Sequence, residues 1–140
     1  MRRNRHRLLP RFTALALALA LFAGCTYKNA MKRGDEAMAS GQYDDAIEQY
    51  ERALAKKPDS EEARSKLAQA REKAVEQKVG QSRDALARGE FASAVATASE
   101  AAAILPDSPA VQQLIGELVP AVIAESERLT AAARFADAMA

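Results

Sequence analysis

The sequence predicts an all-α protein in which antiparallel helical hairpins stack as a short α-solenoid. The first observation behind this prediction is an internal repeat, since residues 41–58 return as residues 89–106 with six features at the same offsets. Repetition of one helical unit along a chain is typical of a solenoid. The matched pairs are Gly41/Gly89, Tyr43/Phe91, Ala46/Ala94, Ile47/Val95, Ala53/Ala101 and Pro58/Pro106.

Composition is the second observation. Hydrophobic residues make up 49% of the 140 residues but aromatic residues only 5%, and much of the apolar share is Ala. Ala favours closely packed helices, whereas strands are rich in β-branched and aromatic residues. A third, partial copy of the repeat stands near the end, where Phe135 and Ala138 hold the aromatic and first Ala places.

The first 24 residues have the pattern of an export signal. They carry five arginines and no acidic residue, and the apolar stretch from Phe12 to Gly24 is 13 residues long. A helix needs about 20 residues to span a bilayer, so this length fits the core of a signal peptide. Without those five arginines the chain has 15 basic and 19 acidic residues, a net charge of −4. A net negative charge argues against nucleic acid as a partner.

The end of this segment resembles the processing site of bacterial lipoproteins, in which small residues precede a cysteine. Ala23, Gly24 and Cys25 match that pattern, while Phe22 departs from the preferred Leu. The resemblance implies that residues 1–24 are a lipoprotein signal peptide and that Cys25 is lipidated. The alternatives are an ordinary exported cysteine and an uncleaved anchor.

The same resemblance implies a location in the cell envelope. Residues 25–29 would form the lipidated cysteine and a short tether, followed by a helical repeat domain over residues 30–140. Thr26 follows the cysteine, where Asp would favour retention in the inner membrane. We therefore expect a lipid-anchored protein of the outer membrane that faces the periplasm, if the organism is Gram-negative.

The first hairpin is predicted from helical periodicity and its breakers. Apolar residues recur at three and four positions between Tyr27 and Ser40, which is the period of one helical face. Gly41 supplies the left-handed position that ends this helix. A second helix begins near Tyr43 and ends before Pro58.

One long helix is predicted over about residues 60–88. Asp59 and Glu62 form a plausible capping box at its start. Gly80 allows either a bend within one helix or a break into two helices, and we favour one helix because the second would be barely two turns long.

Two further helices complete the prediction. One spans about Phe91 to Leu105, and the next begins after Ser108. Pro120 is expected to kink or break that last helix, which then continues to Ala133. Residues 135–140 look like the opening of another helix. This end leaves an apolar face uncovered, so either a partner covers it or the sequence is part of a longer protein.

The first hairpin resembles the tetratricopeptide repeat (TPR) family. Gly34 matches the small position of the family's first helix, Ala46 and Ala53 match the small positions of the second, Tyr50 matches the larger position between them, and Pro58 matches the closing proline. The spacing departs from the family, because Gly41 and its copy are 48 residues apart and a TPR unit is typically 34 residues. The second unit is a weaker match, since Ser82 and Ala98 replace the Gly and the aromatic residue.

By this resemblance, the first helix of each pair lines a concave groove that holds a protein or peptide partner. The same residue pattern also fits simple packing between repeats. The groove residues would be Asp35, Met38, Val79, Arg83, Leu86, Ile123 and Glu127.

No catalytic chemistry is predicted. The single histidine, His6, lies in the removable segment, so the mature chain lacks the commonest general base and metal ligand. Glycines are scattered singly, so no phosphate-binding loop is present. Acidic pairs stand at helix starts, where the helix dipole favours them. We expect a non-enzymatic protein with no cofactor, metal ion, small-molecule substrate or nucleic-acid partner.

These observations predict a membrane-anchored lipoprotein of the cell envelope that acts as a scaffold or assembly factor for an unidentified protein partner. The alternative is that the chain is the anchoring and adaptor region of a longer protein, with an enzymatic or peptidoglycan-binding domain beyond residue 140.

Overall fold

The structure is a computed structural model that describes residues 25–139. Within this range it is helical with short turns and contains no strand, which confirms the all-α prediction. The predicted signal peptide lies outside the described residues. The five helices are α1 (residues 25–39), α2 (Tyr43–Lys56), α3 (Glu61–Ala87), α4 (Phe91–Ile104) and α5 (Pro109–Met139).

The chain forms two compact units that divide within α3, after Ala70. Unit 1 contains α1, α2 and the first part of α3. Unit 2 contains the rest of α3 together with α4 and α5. The single long helix predicted over about residues 60–88 is confirmed, and the alternative of a break at Gly80 is wrong, since α3 passes through that residue without interruption.

Unit 1 is built on close approach between α1 and α2. Tyr50 is its largest fully buried side chain, and its ring lies against Gly34, where any side chain would collide with it. The other core residues are mostly alanines, which let helix backbones come close together. The buried residues of this core are Ala30, Met31, Ala37, Ala46, Tyr50, Ala53, Ala63, Leu67 and Ala70.

Both hairpin turns use the same glycine geometry. Gly41 and Gly89 each have a φ of 73°, a left-handed conformation that costs glycine nothing and other residues about 1–2 kcal/mol. The amides after them, of Gln42 and Glu90, each donate back to an alanine carbonyl five residues earlier at 2.9 Å. These bonds satisfy carbonyls that would otherwise be orphaned at the helix end.

The start of α3 corrects one prediction. Ser60, not Asp59, is the capping residue: the buried Ser60 hydroxyl accepts a hydrogen bond from the Ala63 amide at 3.2 Å. The same hydroxyl also bonds the hydroxyl of Tyr27 at 2.7 Å, which ties the beginning of α1 to the beginning of α3. Residues 25–29, assigned from the sequence to a tether, are therefore helical.

Unit 2 repeats the arrangement with different side chains. The fully buried Ser82 hydroxyl donates to the Ala94 carbonyl at 2.7 Å, so α3 packs directly against α4. The buried residues of this core are Val75, Val79, Ala85, Ala94, Ala98, Ala101, Val111, Leu114 and Leu118.

The last helix continues through Pro120, so of the two predicted alternatives, a kink or a break, the break is wrong. Helix α5 runs from Pro109 to Met139 with Pro120 inside. Proline has no N–H group, so the Gly116 carbonyl, four residues before Pro120, loses its usual helical hydrogen bond. Both residues are exposed, so water can donate to that carbonyl instead. The further helix predicted from Phe135 is wrong, since residues 135–139 continue α5 with no turn before them. Ala133 stands where Gly41 supplies the left-handed position, a conformation that costs alanine about 1–2 kcal/mol. No helix among residues 25–139 combines the length and apolarity needed to cross a membrane.

Candidate functional site

An apolar groove lies between α4 and α5 in unit 2. It has a volume of about 330 Å³, and no charged residue lines it. We call it the α4–α5 groove. Its wall on α4 is formed by Val95, Ala98, Ser99 and Ala102, and its wall on α5 by Ile115, Leu118, Val119, Val122 and Ile123.

Helical spacing brings these side chains together. Residues three and four apart lie on the same helical face, and both walls follow that spacing. Val119 and Ile123 remain 51% and 52% exposed, and Val95 and Ile115 are also exposed. Large apolar side chains grouped around a concave surface mark interaction sites more often than ordinary surface does.

The repeat itself shows that this exposure is unusual. Val75 stands on α3 at the position 48 residues before Ile123, which is the repeat spacing. Val75 is only 2% exposed, because it shares the unit 2 core with Ala94 and Ala98 of α4. On α3, this face is covered by α4. The corresponding face of α5 is not covered by any helix within the described residues.

The residues predicted for a concave groove are found in several environments. Asp35 accepts a hydrogen bond from the Tyr50 hydroxyl at 2.8 Å and pairs with the Lys66 ammonium at 2.7 Å. Burial opposes ionisation of Asp35, but the bonds from Lys66 and Tyr50 outweigh it, so the pKa of this carboxyl is lowered. The pKa of Tyr50 is raised by burial and by its bond to Asp35. This cluster holds α1, α2 and α3 of unit 1 together.

Two of the predicted residues in unit 2 are also engaged within the unit. Arg83 forms two hydrogen bonds of 2.9 Å with the Glu117 carboxylate, and this pairing raises the pKa of Arg83 and lowers that of Glu117. Val79 is 4% exposed and belongs to the core, so it offers almost no surface to a partner.

The remaining predicted residues differ in exposure. Met38 and Leu86 are half-buried against their cores, while Ile123 and Glu127 are exposed. Of the seven, only Ile123 lines the α4–α5 groove. A partner-binding role for the seven residues stays a prediction.

Sequence reasoning missed most of the groove. The sequence predicted an uncovered apolar face at this end of the chain, but Ile115 and Val119 on α5 were not assigned to a binding surface, and neither was any residue of α4. The width of the apolar face on α5 could have indicated the groove. Val111, Leu114 and Leu118 form the buried stripe of this face, which leaves its other apolar side chains exposed.

Unit 1 carries a second concave surface, of the opposite character. It lies between α1 and α2 and is lined by Arg33, Arg52 and Lys56 among polar residues. Arg52 pairs with Glu48 at 2.6 Å. Cys25 is exposed at the first residue of α1. This part of unit 1 therefore combines basic side chains with the predicted lipidation position.

Comparison with known proteins agrees with the repeat architecture. The family model for the TPR repeat matches residues 34–74, which begin at Gly34 and end within α3. No curated protein matches the chain, and neither does any solved structure. The match supports TPR-like repeats in this chain, and TPR repeats generally mediate the binding of protein partners.

Proposed function

We propose that this chain is a membrane-anchored lipoprotein of the cell envelope that serves as a protein-interaction scaffold or assembly factor, and that it binds a helix of its partner in the α4–α5 groove. The observation that carries the proposal is the exposed apolar surface around Val119 and Ile123 on a helical repeat fold. TPR-like repeats generally mediate binding of proteins, and an amphipathic helix in an apolar groove is a common mode of recognition.

The partner helix should present small apolar residues. Within unit 2, α4 covers Val75 and Val79 of α3 with Ala94, Ala98 and Ala101. The corresponding part of α5 begins at Ile123, 48 residues after Val75. A helix with alanines at three- and four-residue spacing can approach such a face closely, because small side chains permit short interaxial distances. The absence of charge in the groove lining favours an uncharged face on the partner.

The proposed anchor is the lipidated Cys25, after removal of residues 1–24. The support is the sequence pattern that ends in Ala23, Gly24 and Cys25, together with the exposure of Cys25. Several acyl chains on one cysteine would make membrane attachment effectively permanent. The outer membrane, facing the periplasm, is the location we propose for a Gram-negative organism, because Thr26 follows the cysteine.

Photo-crosslinking in the native cells tests the groove. A photoreactive amino acid is placed at Val119, inside the groove, and in a separate variant at Gln113, which is exposed on the same helix but does not line the groove. The expected result is one adduct at position 119 that maps to a helical, alanine-containing segment of another protein, and that is lost when Ile123→Asp is added. Adducts of equal yield at position 113, or an adduct to a second copy of this chain, would contradict the proposal.

The intact mass of the protein extracted from membranes tests the anchor separately. Relative to the translated chain, a mass that lacks residues 1–24 and gains a diacylglyceryl group and a fatty acid is expected. Replacement of Cys25 by Ser should then release the protein from the membrane fraction. An unmodified mass would overturn the lipoprotein part of the proposal. The crosslinking experiment tests partner binding in the α4–α5 groove independently of this result.

A further inference from the structure

Basic side chains without an acidic partner are concentrated in one part of unit 1. Most lysines and arginines between residues 25 and 139 make ion pairs or other contacts, such as Lys66 with Asp35 and Arg83 with Glu117. Arg134 of α5 is an exception. The other basic side chains that make no ion pair within the described residues are Lys28, Arg33, Lys56 and Lys57.

Three of these residues, Lys28, Lys56 and Lys57, lie near the beginning of α1 or the end of α2, and Arg33 lies in the middle of α1. The two helices are antiparallel around the turn at Gly41, so the start of one lies beside the end of the other. Two contacts of Tyr27 fix this arrangement. The Lys57 ammonium lies 5.5 Å from the centre of the Tyr27 ring, and the Tyr27 hydroxyl bonds Ser60 at 2.7 Å. We call the four side chains the basic end of unit 1.

The nearby acidic residues do not neutralise the basic end. Glu61 pairs with Arg64 and Glu62 with Lys66, so both are already compensated. Asp59 is exposed, two residues after Lys57, and makes no ion pair within residues 25–139. Asp45, which lines a concave surface together with Arg33, makes no ion pair within these residues either. Subtracting these two charges from the four positive charges leaves a net charge of +2, on a mature chain whose net charge is −4.

The basic end also contains a place for an anionic group. Arg33 and Lys56 line the concave surface between α1 and α2, with Arg52 beside them. Arginine and lysine are the side chains that proteins use to bind phosphate, arginine with paired donors and lysine as a point charge. This surface is open to solvent, so it can contact several phosphate groups in one plane as well as a single phosphate group.

We propose that the basic end of unit 1 binds the phosphate headgroups of an anionic membrane surface and orients the repeat domain on it. This inference rests on the proposed lipid anchor at Cys25. Lys28 is three residues further along α1 than Cys25, a rise of about 4.5 Å, and Arg33 is eight residues further, about 12 Å. The first distance is well within the Debye length of about 8–10 Å at physiological ionic strength, over which surface charges attract each other, and the second is slightly beyond it.

The position of Cys25 favours a membrane over an acidic protein as the occupant. A lipid on Cys25 would hold α1 at the bilayer surface by its first residue. Lys28, Lys56 and Lys57, which lie at the same end of unit 1 as Cys25, would face the headgroups when this end of the unit points toward the bilayer. Basic residues next to a membrane anchor are a common device for binding anionic lipid.

The test measures how exposed each lysine is on membranes of different charge. The full chain, expressed with its native N-terminus and extracted in detergent, is reconstituted into vesicles of phosphatidylcholine alone or with about one third phosphatidylglycerol, where anionic headgroups supply the attraction. A water-soluble amine-acylating reagent then labels the lysines, and mass spectrometry of peptides reports each site. Lys73, which pairs with Glu76 in unit 2, is the internal control.

The expected result is a decrease of about threefold or more in labelling of Lys28, Lys56 and Lys57 on the anionic vesicles, reversed at about 1 M salt, where the Debye length is about 3 Å. Labelling of Lys73 should not change. The variant R33Q/K56Q should lose the protection of Lys28 and Lys57, whereas R88Q/R134Q, which removes the same charge elsewhere, should keep it.

Equal labelling on both kinds of vesicle would overturn the proposal. So would protection by a soluble polyglutamate peptide but not by phosphatidylglycerol, since that result would assign the basic end to an acidic protein. The intact mass of the same sample shows separately whether Cys25 is lipidated. A failed anchor and a failed headgroup surface are therefore distinguished in one preparation.

Discussion

The ring of Tyr50 occupies the space that a side chain on Gly34 would need. A Cβ atom built on Gly34 would lie 2.4 Å from the Tyr50 Cε1 atom and 2.7 Å from its Cδ1 atom. The ring cannot move aside easily, because it is buried and its hydroxyl bonds Asp35 at 2.8 Å. The contact between α1 and α2 therefore depends on a large residue on one helix and the absence of a side chain on the other.

Replacement of Gly34 by Ala should destabilise the protein. Ala is the better helix former by about 1 kcal/mol, but overpacking a core costs about 1–3 kcal/mol, and the contact here is shorter than real side chains tolerate. We expect a net loss of about 1–2 kcal/mol, the overpacking cost less part of the helix-propensity gain, measured by urea denaturation. Gly80→Ala is the matched control, since no atom lies within 4 Å of that position, and it should stabilise the protein by up to about 1 kcal/mol. If Gly34→Ala and Gly80→Ala had equal free energies of unfolding, the Tyr50 ring would have to move aside to accommodate the added methyl group.

At corresponding positions of the two units, the relative sizes of the side chains on the first and second helices are reversed. Ser82 and Ala98 stand 48 residues after Gly34 and Tyr50. In unit 2, the buried Ser82 hydroxyl donates to the Ala94 carbonyl, and Ala98 takes the place of the aromatic ring. A larger residue on the first helix thus accompanies a smaller one on the second.

This exchange predicts coupling between positions 82 and 98. Ala98→Tyr alone should cost about 1–3 kcal/mol through overpacking. The double variant Ser82→Gly with Ala98→Tyr should be more stable than the sum of the two single changes indicates, because it restores the pair found in unit 1. A double-mutant cycle from urea denaturation measures the coupling energy. Simple additivity of the two changes would mean that the side chains do not share one space.

The Asp35 carboxyl should make stability depend on pH in the acid range. Its pKa is lowered from 3.8, because the hydrogen bonds from Lys66 and Tyr50 and the charge of Lys66 outweigh the opposing effect of burial. A group whose pKa is lower in the folded state stabilises the fold fully above its unfolded pKa, and this stabilisation is lost as the pH falls through the folded value. Stability should therefore fall between about pH 5 and pH 2.

Asp35→Asn should flatten that part of the pH profile, measured by urea denaturation at several pH values. Tyr50→Phe keeps the carboxyl and the Lys66 pair but removes the Tyr50 hydroxyl that bonds Asp35, so its profile should lie between those of the wild type and Asp35→Asn. An unchanged slope in the Asp35→Asn protein would assign the acid sensitivity to other carboxylates.

The turn glycines should resist substitution for a backbone reason alone. Gly41 and Gly89 have a φ of 73°, and no atom lies within 4 Å of the position of an added Cβ. Ala at either place should cost about 1–2 kcal/mol, and Asn less, since Asn tolerates the left-handed region. Gly116→Ala, within α5 and equally open, should be neutral or stabilising. Equal effects at all three positions would exclude the turn conformation as the cause.

Local signals in the sequence determined most of the helical architecture. The glycines at 41 and 89 and the prolines at 58 and 106 mark turns through backbone conformation, which needs no distant partner. Helical periodicity between these breakers predicted one unbroken α3, and α3 is unbroken. The TPR-like character followed from the small residues at fixed offsets in the first hairpin.

Only the tertiary structure decided what each helical face contacts. Periodicity shows that Val79 and Ile123 lie on apolar faces, but burial depends on whether another helix covers that face, which α4 does for Val79 and no described helix does for Ile123. The pairing of Ser60 with Tyr27 and of Asp35 with Lys66 joins residues more than 30 positions apart, so local pattern carried no sign of either. Pro120 lies inside α5 at a position exposed to solvent, where the carbonyl that it leaves without a helical hydrogen bond is accessible to water.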